Sequence, residues 1–181
     1  LPDVLNITQD DNSDILWEEL SNALEEAIAN LLEAKEAEGK KLAEDMINRL
    51  ELINENILNI SQYSTGLIDQ YVVKLKDRIK EIMQTDLIDE ARISQEVVLY
   101  ADKTSIEEEI TRLKSHIVQF KELLQSESIK KAGKRLDFII QEMNREVNTI
   151  GSKSNCLEIT NLVIELKTEL EDVREQVQNI E

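Results

Sequence analysis

The 181-residue sequence predicts an all-α fold: a long N-terminal helix followed by an antiparallel helical bundle, about six helices in all. Three observations carry this prediction. Leu, Ile, Glu and Lys dominate, and only 3% of residues are aromatic, a composition that favours long helices over sheets. Four glycines and one proline leave few places for the chain to turn. Apolar residues recur at steps of three and four along most of the chain, the period of one helix face. No strand is needed after the first few residues.

In order, Leu1 to Leu5 reads as an extended lead-in, because Pro2 pushes Leu1 toward the β region. Asn6 to Asp14 is polar and ends in the capping residues Asn12, Ser13 and Asp14. The first helix then carries Leu16, Leu20, Leu24, Ala27 and Leu31, and beyond a polar patch containing Gly39 it carries Leu42, Met46, Leu50, Ile53, Ile57 and Ile60. The segment NISQYSTG (59–66) breaks it, with Gly66 as punctuation. Two regions are therefore expected: a helical arm over 1–66 and a C-terminal helical domain over 67–181. The second helix carries Leu67, Tyr71, Leu75, Ile79 and Ile82 on one side. TDLID (85–89) turns the chain into a third helix, about Glu90 to Ala101, which DKTS (102–105) interrupts. Ser105 with Glu108 has the form of a capping box and opens the fourth helix. Its stripe is Ile106, Ile110, Leu113, Ile117, Phe120 and Leu124, and Glu109, Arg112 and His116 share the edge beside it. SESIKKAG (126–133) is expected to hinge into the fifth helix, whose stripe is Leu136, Ile140, Met143 and Val147. Arg135, Glu142 and Glu146 run along one flank of that helix, and Gln141, Arg145, Asn148 and Ser152 along the other. Gly151 ends or kinks it, Asn155 with Glu158 caps the next, and the last helix runs Ile159, Leu162, Leu166, Leu170, Val173, Val177 and Ile180, antiparallel to the fifth.

Charge and composition exclude several functions. The net charge of −17 opposes non-specific binding to nucleic acid or to anionic membranes. No run of about 18 apolar residues is present, so nothing spans a membrane. The single Cys156 builds neither an internal disulfide nor a structural zinc site, which fits a reducing cytoplasm. No glycine-rich phosphate loop, zinc-ligand spacing, serine nucleophile motif or dinucleotide fingerprint occurs.

One stretch departs from the acidic background. Residues 130–154 hold six Lys/Arg and three Asp/Glu, a net of +3, so the remaining 156 residues carry −20. The N-terminal residues 1–60 alone hold fifteen Asp/Glu against four Lys/Arg. A positive, amide-rich island in an acidic chain is a candidate site for an anionic substrate. Glu142 and Glu146, four residues apart, point the same way and can share a hard divalent cation. Arg135 and Arg145 present planar forks suited to phosphate oxygens, and Lys153 adds a point charge. The same residues also fit an ion-pair ladder along one helix. His116, the only histidine, is either an acid/base group or a partly buried hydrogen-bonding residue. Asp102 at a helix break and Asp137 early in a helix are secondary candidates.

The blocks RLDF (135–138), QEMNRE (141–146), NTIGSKS (148–154) and REQVQNIE (174–181), in that order, resemble the C-terminal signature of the YicC-like bacterial endoribonuclease family, which includes YloC-type proteins. The resemblance extends upstream through QEVVLYADK (95–103) and EEITRLKSHIVQF (108–120). It implies a C-terminal piece of a longer protein whose mostly β N-terminal part precedes Leu1. It further implies a metal-dependent endoribonuclease, working with Mn²⁺ or Mg²⁺ on RNA rather than DNA, as a homo-oligomer with a ring-like shared channel. On that reading His116, Arg112, Glu142, Arg145 and Glu146 are catalytic candidates. Arg135, Asn148, Ser152 and Lys153 contact RNA, and Glu142, Glu146 and Glu109 are metal ligands. The rival expectation is a non-enzymatic α-helical oligomerisation or protein-interaction module, or an inactive fragment of the nuclease, supported by the heptad-like stripes and the strong negative charge.

Overall fold

The computed structural model describes residues 13–83, 89–125 and 129–178. Six helices account for nearly all of them: α1 (Ser13–Thr65), α2 (Leu67–Met83), α3 (Glu90–Thr104), α4 (Glu107–Gln125), α5 (Ile129–Lys153) and α6 (Leu157–Gln178), with no strand among the described residues. The lead-in at Leu1–Leu5, the polar stretch through Asn12, the turn over 85–88 and Ile180 lie outside the described residues.

The chain divides into two compact units between Leu42 and Ala43, inside α1. Gly39 does not interrupt that helix, which continues to Thr65, where Gly66 marks the turn. In the first unit every residue from Asp14 to Glu38 except Ser21 is exposed, including Trp17, Leu20, Leu24 and Leu31. In the second unit α1 supplies Met46, Leu50, Ile53, Ile57 and Ile60, all fully buried. These steps of three and four form one stripe, which the other helices cover.

The core of the second unit combines that stripe with residues from α4, α5 and α6. Leu113 and Phe120 from α4, Leu136, Ile140, Met143 and Val147 from α5, and Ile159, Leu166 and Leu170 from α6 are fully buried. Cross-helix ion pairs fix an antiparallel register. Arg49 of α1 bridges Glu169 at 3.0 Å and Asp172 at 2.8 Å on α6, and Gln176 donates to Asp45 one turn away. Arg112 of α4 meets Glu146 of α5, while Glu109 meets Lys153. Arg174 of α6 meets Asp137 of α5 at 3.4 Å. Lys121 of α4 reaches Glu51 of α1 at 3.6 Å. Helices α2 and α3 pack on each other, and the Tyr71 and Tyr100 rings stack with centroids 3.6 Å apart and planes within 3°.

Several boundaries differ from the sequence expectation, each for a local reason. Helix α3 continues through Thr104 because Ser105, extended at φ −62° and ψ 124°, donates its N–H to Ala101 and serves as the C-cap. The expected capping box at Ser105 is replaced by other partners: Glu108 pairs with Arg112, and the Ser105 carbonyl accepts from Lys153. The hinge over 126–133 is shorter than expected, since α5 already begins at Ile129. Gly151 does not end α5, which runs on to Lys153. A Cβ at that position would meet Val163 Cγ1 at 3.1 Å, so the glycine permits close approach of α6. At the start of α6 Cys156, not Asn155, holds the N-cap position, its carbonyl accepting the Thr160 N–H at 3.0 Å, and the Ser154 hydroxyl accepts the Cys156 N–H at 3.2 Å in the turn before it.

Candidate nucleic-acid interface

Helix α5 positions the site, because it presents a different polar flank to each neighbour. Its buried stripe, Leu136, Ile140, Met143, Val147 and Ile150, is fully enclosed. At about 100° per residue, Arg135, Glu142, Glu146 and Lys153 fall on one side of that stripe, and Asp137 and Asn144 on the other. The antiparallel register turns the first flank toward α4 and the second toward α6.

On the α4 side an ionic cluster forms. Arg112 is bidentate to Glu146: its Nε donates to Oε1 and its Nη2 to Oε2, both at 2.8 Å. The same Nη2 lies 3.3 Å from Glu109 Oε1, and Nη1 pairs with Glu108. Lys153 Nζ donates to Glu109 Oε1 at 2.8 Å and to the Ser105 carbonyl at 3.0 Å. Glu109 and Glu146 are only 3% and 6% exposed, a burial that carboxylates tolerate only when paired. For Glu109, burial opposes ionisation, but the Lys153 hydrogen bond and the nearby Arg112 together outweigh it and hold the carboxyl below its ordinary value. The Glu146 hydrogen bond raises the Arg112 guanidinium further above its already high value. Glu109 Oε2 is buried and has no hydrogen-bond partner among the described residues.

On the outer face of α5, toward α6, lies an open groove of about 630 Å³ lined by Gln141, Asn144, Arg145, Asn148, Thr149, Ser152 and Arg174. No carboxylate lines it among the described residues. Arg145 is exposed and is drawn back only by Glu142, at 3.1 Å on its own helix. Arg174 enters from α6 and is steadied by Asp137 at 3.4 Å and Glu171 at 3.6 Å. Gln141 Nε2 donates to Asp137 Oδ2 at 2.7 Å. The side chains of Asn144 and Asn148, one turn apart, make no hydrogen bond among the described residues.

The sequence candidates therefore separate into two groups. Glu109, Arg112, Glu146 and Lys153 come together in the ionic cluster; Arg145, Asn148 and Ser152 come together in the groove. Glu142 stands between the two groups, half-buried and paired with Arg145. The register that sets Arg112 against Glu146 brings half-buried His116 level with Glu142, and His116 Nδ1 is buried without a partner among the described residues. Arg135 is exposed, with no ion pair among the described residues. Asp137 braces Arg174 and Gln141, while Asp102 is exposed on α3. Sequence reasoning missed Asn144, Thr149 and Arg174 as individual site residues. All three fall inside the quoted blocks, but only the α5–α6 packing shows that they share a groove.

The family described as "Endoribonuclease YicC-like, C-terminal" matches residues 60–181, which take in α2 to α6 and the end of α1. The chain belongs to the YicC-like family. It is 50% identical over 183 residues to a Clostridioides difficile (strain 630) protein named "Probable endoribonuclease YicC", covering 99% of this chain and 61% of that protein. A Haemophilus influenzae protein (strain ATCC 51907 / DSM 11121 / KW20 / Rd) with the same name is 30% identical over 173 residues, 96% of this chain and 59% of its own length. This YicC-like chain thus spans about three-fifths of the length of these two relatives.

The divalent ion implied by the YicC-like resemblance was tested against the donor set. Both Glu146 oxygens are taken by Arg112, Glu109 Oε1 by Lys153 and Arg112, and Glu142 by Arg145. The Arg112 guanidinium occupies the position between Glu109 and Glu146 that a shared cation would need. No group of three or more His, Cys, Asp or Glu among the described residues is arranged to hold a metal. In this arrangement the three carboxylates do not fit a shared ion. No described helix is long and apolar enough to cross a membrane.

Proposed function

We propose that this chain acts on RNA as part of an endoribonuclease that cleaves phosphodiester bonds. Family membership supports the reaction class, and the observation that carries the reading is the carboxylate-free groove beside α6 in a chain of net charge −17. Such a groove offers guanidinium and amide donors to an anionic strand that the rest of the surface repels. In this proposal Arg145, Arg174 and Arg135 receive phosphate, and Asn148 hydrogen-bonds the strand. His116 and Glu142, brought level with each other by the α4–α5 register, are the groups proposed to move protons during cleavage. Arg112, Glu146, Glu109 and Lys153 are positioning residues, which lock α5 against α4 and so fix where Arg145 and Glu142 stand. We assign no chemical step to Mn²⁺ or Mg²⁺.

The test is cleavage of a labelled structured RNA with Mn²⁺ or Mg²⁺ and with chelator, beside Glu142→Ala and His116→Ala. Cleavage that falls at least a hundredfold in either variant while RNA binding persists supports the proton-transfer assignment, in line with the usual size of an acid/base contribution. Full activity in both variants refutes it. Loss in chelator establishes metal dependence separately. A second reading, a helical self-association module, is favoured by one observation: the exposed Trp17, Leu20, Leu24 and Leu31 on α1. Sedimentation of Leu24→Glu beside the parent chain tests it; unchanged mass in a self-associating protein excludes this face.

A further inference from the structure

Resting on the RNA-directed reading, we infer that the α5–α6 groove holds an unpaired ribonucleotide segment and distinguishes it from DNA through the 2′-hydroxyl. The inference comes from the direction of two hydroxyl groups. Thr149 Oγ1 donates its hydrogen to the Arg145 carbonyl at 3.0 Å, and Ser152 Oγ donates to the Thr149 carbonyl at 2.9 Å. Each hydroxyl has one hydrogen, so in this state both present only lone pairs to the groove. A lone pair gains nothing from a phosphate oxygen, which is also an acceptor. It gains a hydrogen bond from a ligand hydroxyl, and the ribose 2′-OH is such a donor on every RNA nucleotide and on no DNA nucleotide. Ser152 thus serves the sugar rather than the phosphate.

The other lining groups complete the complement. Asn144 and Asn148 carry amides with no partner among the described residues, able to donate to and accept from a base edge. Arg145 and Arg174 supply guanidinium donors for the backbone phosphates. The volume of about 630 Å³ lies within the range of small-ligand sites and accommodates a nucleotide-sized occupant. Asn144 is half-buried and Asn148 exposed in this open groove, so both amides are presented to a base laid along it. In a duplex the base edges are turned inward to their partners, and an unpaired base is free to enter.

The experiment is fluorescence anisotropy with the 181-residue chain in chelator at one fixed salt concentration. The probes are a labelled unstructured oligoribonucleotide, its 2′-deoxy counterpart with the same bases, and the RNA annealed to its complement. The expected order is single-stranded RNA tightest, with about a tenfold preference over the deoxy strand for two hydrogen bonds. Thr149→Val with Ser152→Ala removes that preference by weakening RNA while leaving the deoxy strand unchanged. Thr149→Ser with Ser152→Thr keeps the hydroxyls and the preference. Asn148→Asp weakens both strands. Equal affinity for the two strands, a double variant that lowers both alike, or a duplex bound as tightly as the single strand overturns the inference. A denaturing gel of each mixture verifies that the strand is intact, so this result does not depend on hydrolysis. Absent hydrolysis with the preference retained removes only the catalytic reading.

Discussion

Replacing Lys153 by Met tests the ionic cluster most directly. Methionine keeps the length of the side chain and its helix propensity while removing the charge. The ammonium it removes donates to Glu109 Oε1 at 2.8 Å, and that carboxylate is 97% buried, with Oε2 already unpartnered. A hydrogen bond to a buried charge is worth about 1.5–3 kcal/mol, and Arg112 at 3.3 Å retains part of the compensation. Lys153 itself is 30% exposed, so solvent screens part of the interaction and the expected loss is about 2 kcal/mol near neutral pH. For a chain of 181 residues that corresponds to about 4–8 °C in Tm. The loss must also depend on pH. The Glu109 carboxyl is held below its ordinary 4.5, so the stability from its ionised form is complete above that value and fades as pH falls through the lowered one. Without Lys153 the carboxyl loses the strongest of the influences that lower it, so its ionised form is less favoured in the variant. The gap between parent and Lys153→Met is therefore widest near neutrality and narrows as pH falls through the lowered value. Urea melts followed by helical circular dichroism at several pH values measure this. A gap under about 0.5 kcal/mol, or one of constant size across the acid range, refutes the argument.

Two further perturbations probe packing. Gly151→Ala gains about 1 kcal/mol of helix propensity but places a methyl 3.1 Å from Val163 Cγ1, so it is expected to destabilise the parent and to stabilise a Val163→Ala background; the double-mutant cycle measures that coupling. Leu50→Ala, at a fully buried position of α1, is expected to cost about 2–5 kcal/mol, whereas Leu24→Ala, 58% exposed on the same helix, is expected to cost under about 0.5 in urea melts at low concentration.

The helices and their buried faces were legible because each has a long stripe at helical period. The α1 stripe from Met46 to Ile60 and the α5 stripe from Leu136 to Val147 are buried as their spacing predicts. Spacing does not report whether a partner exists, which is why Leu16 to Leu31, patterned like Met46 to Ile60, are exposed. The helix ends were less legible. Ser105 and Gly151 answer to partners far along the chain or on a neighbouring helix: Lys153 for Ser105 and Val163 for Gly151. The two flanks of α5 could be read from angles alone. Their destinations could not, since only the antiparallel register sends Glu146 to Arg112 and Asp137 to Arg174. The expected carboxylate pair at Glu142 and Glu146 met the same limit, because the sequence shows that they align but not that Arg112 takes Glu146.

The composition of the last turns of α5 gives an independent reason to separate the groove from the packing. Asn144, Asn148, Thr149, Gly151 and Ser152 fall within ten residues of a helix interior, and each is a poorer helix former than alanine, by roughly 0.5–1 kcal/mol. Gly151 is explained by the approach of Val163. The other four line the groove, and among the described residues their side chains make no hydrogen bond to a second helix: the asparagines have no hydrogen-bond partner, and the hydroxyls bond back to their own helix. Buried Met143, Val147 and Ile150 on the opposite face offset the cost, since helical stability in proteins comes chiefly from the packed face. A flank that carried only solvent would be better filled by Glu, Lys or Ala, which dominate the exposed half of α1. Local preference and the observed helix conflict here, and such conflicts are expected at functional positions, in keeping with the proposed groove. On the opposite flank Glu146 and Lys153 satisfy their neighbours within the bundle. Of the two polar faces of α5, the ionic one is engaged by α4, while the amide one meets α6 through Asp137, which leaves Asn144 and Asn148 for the ligand proposed above.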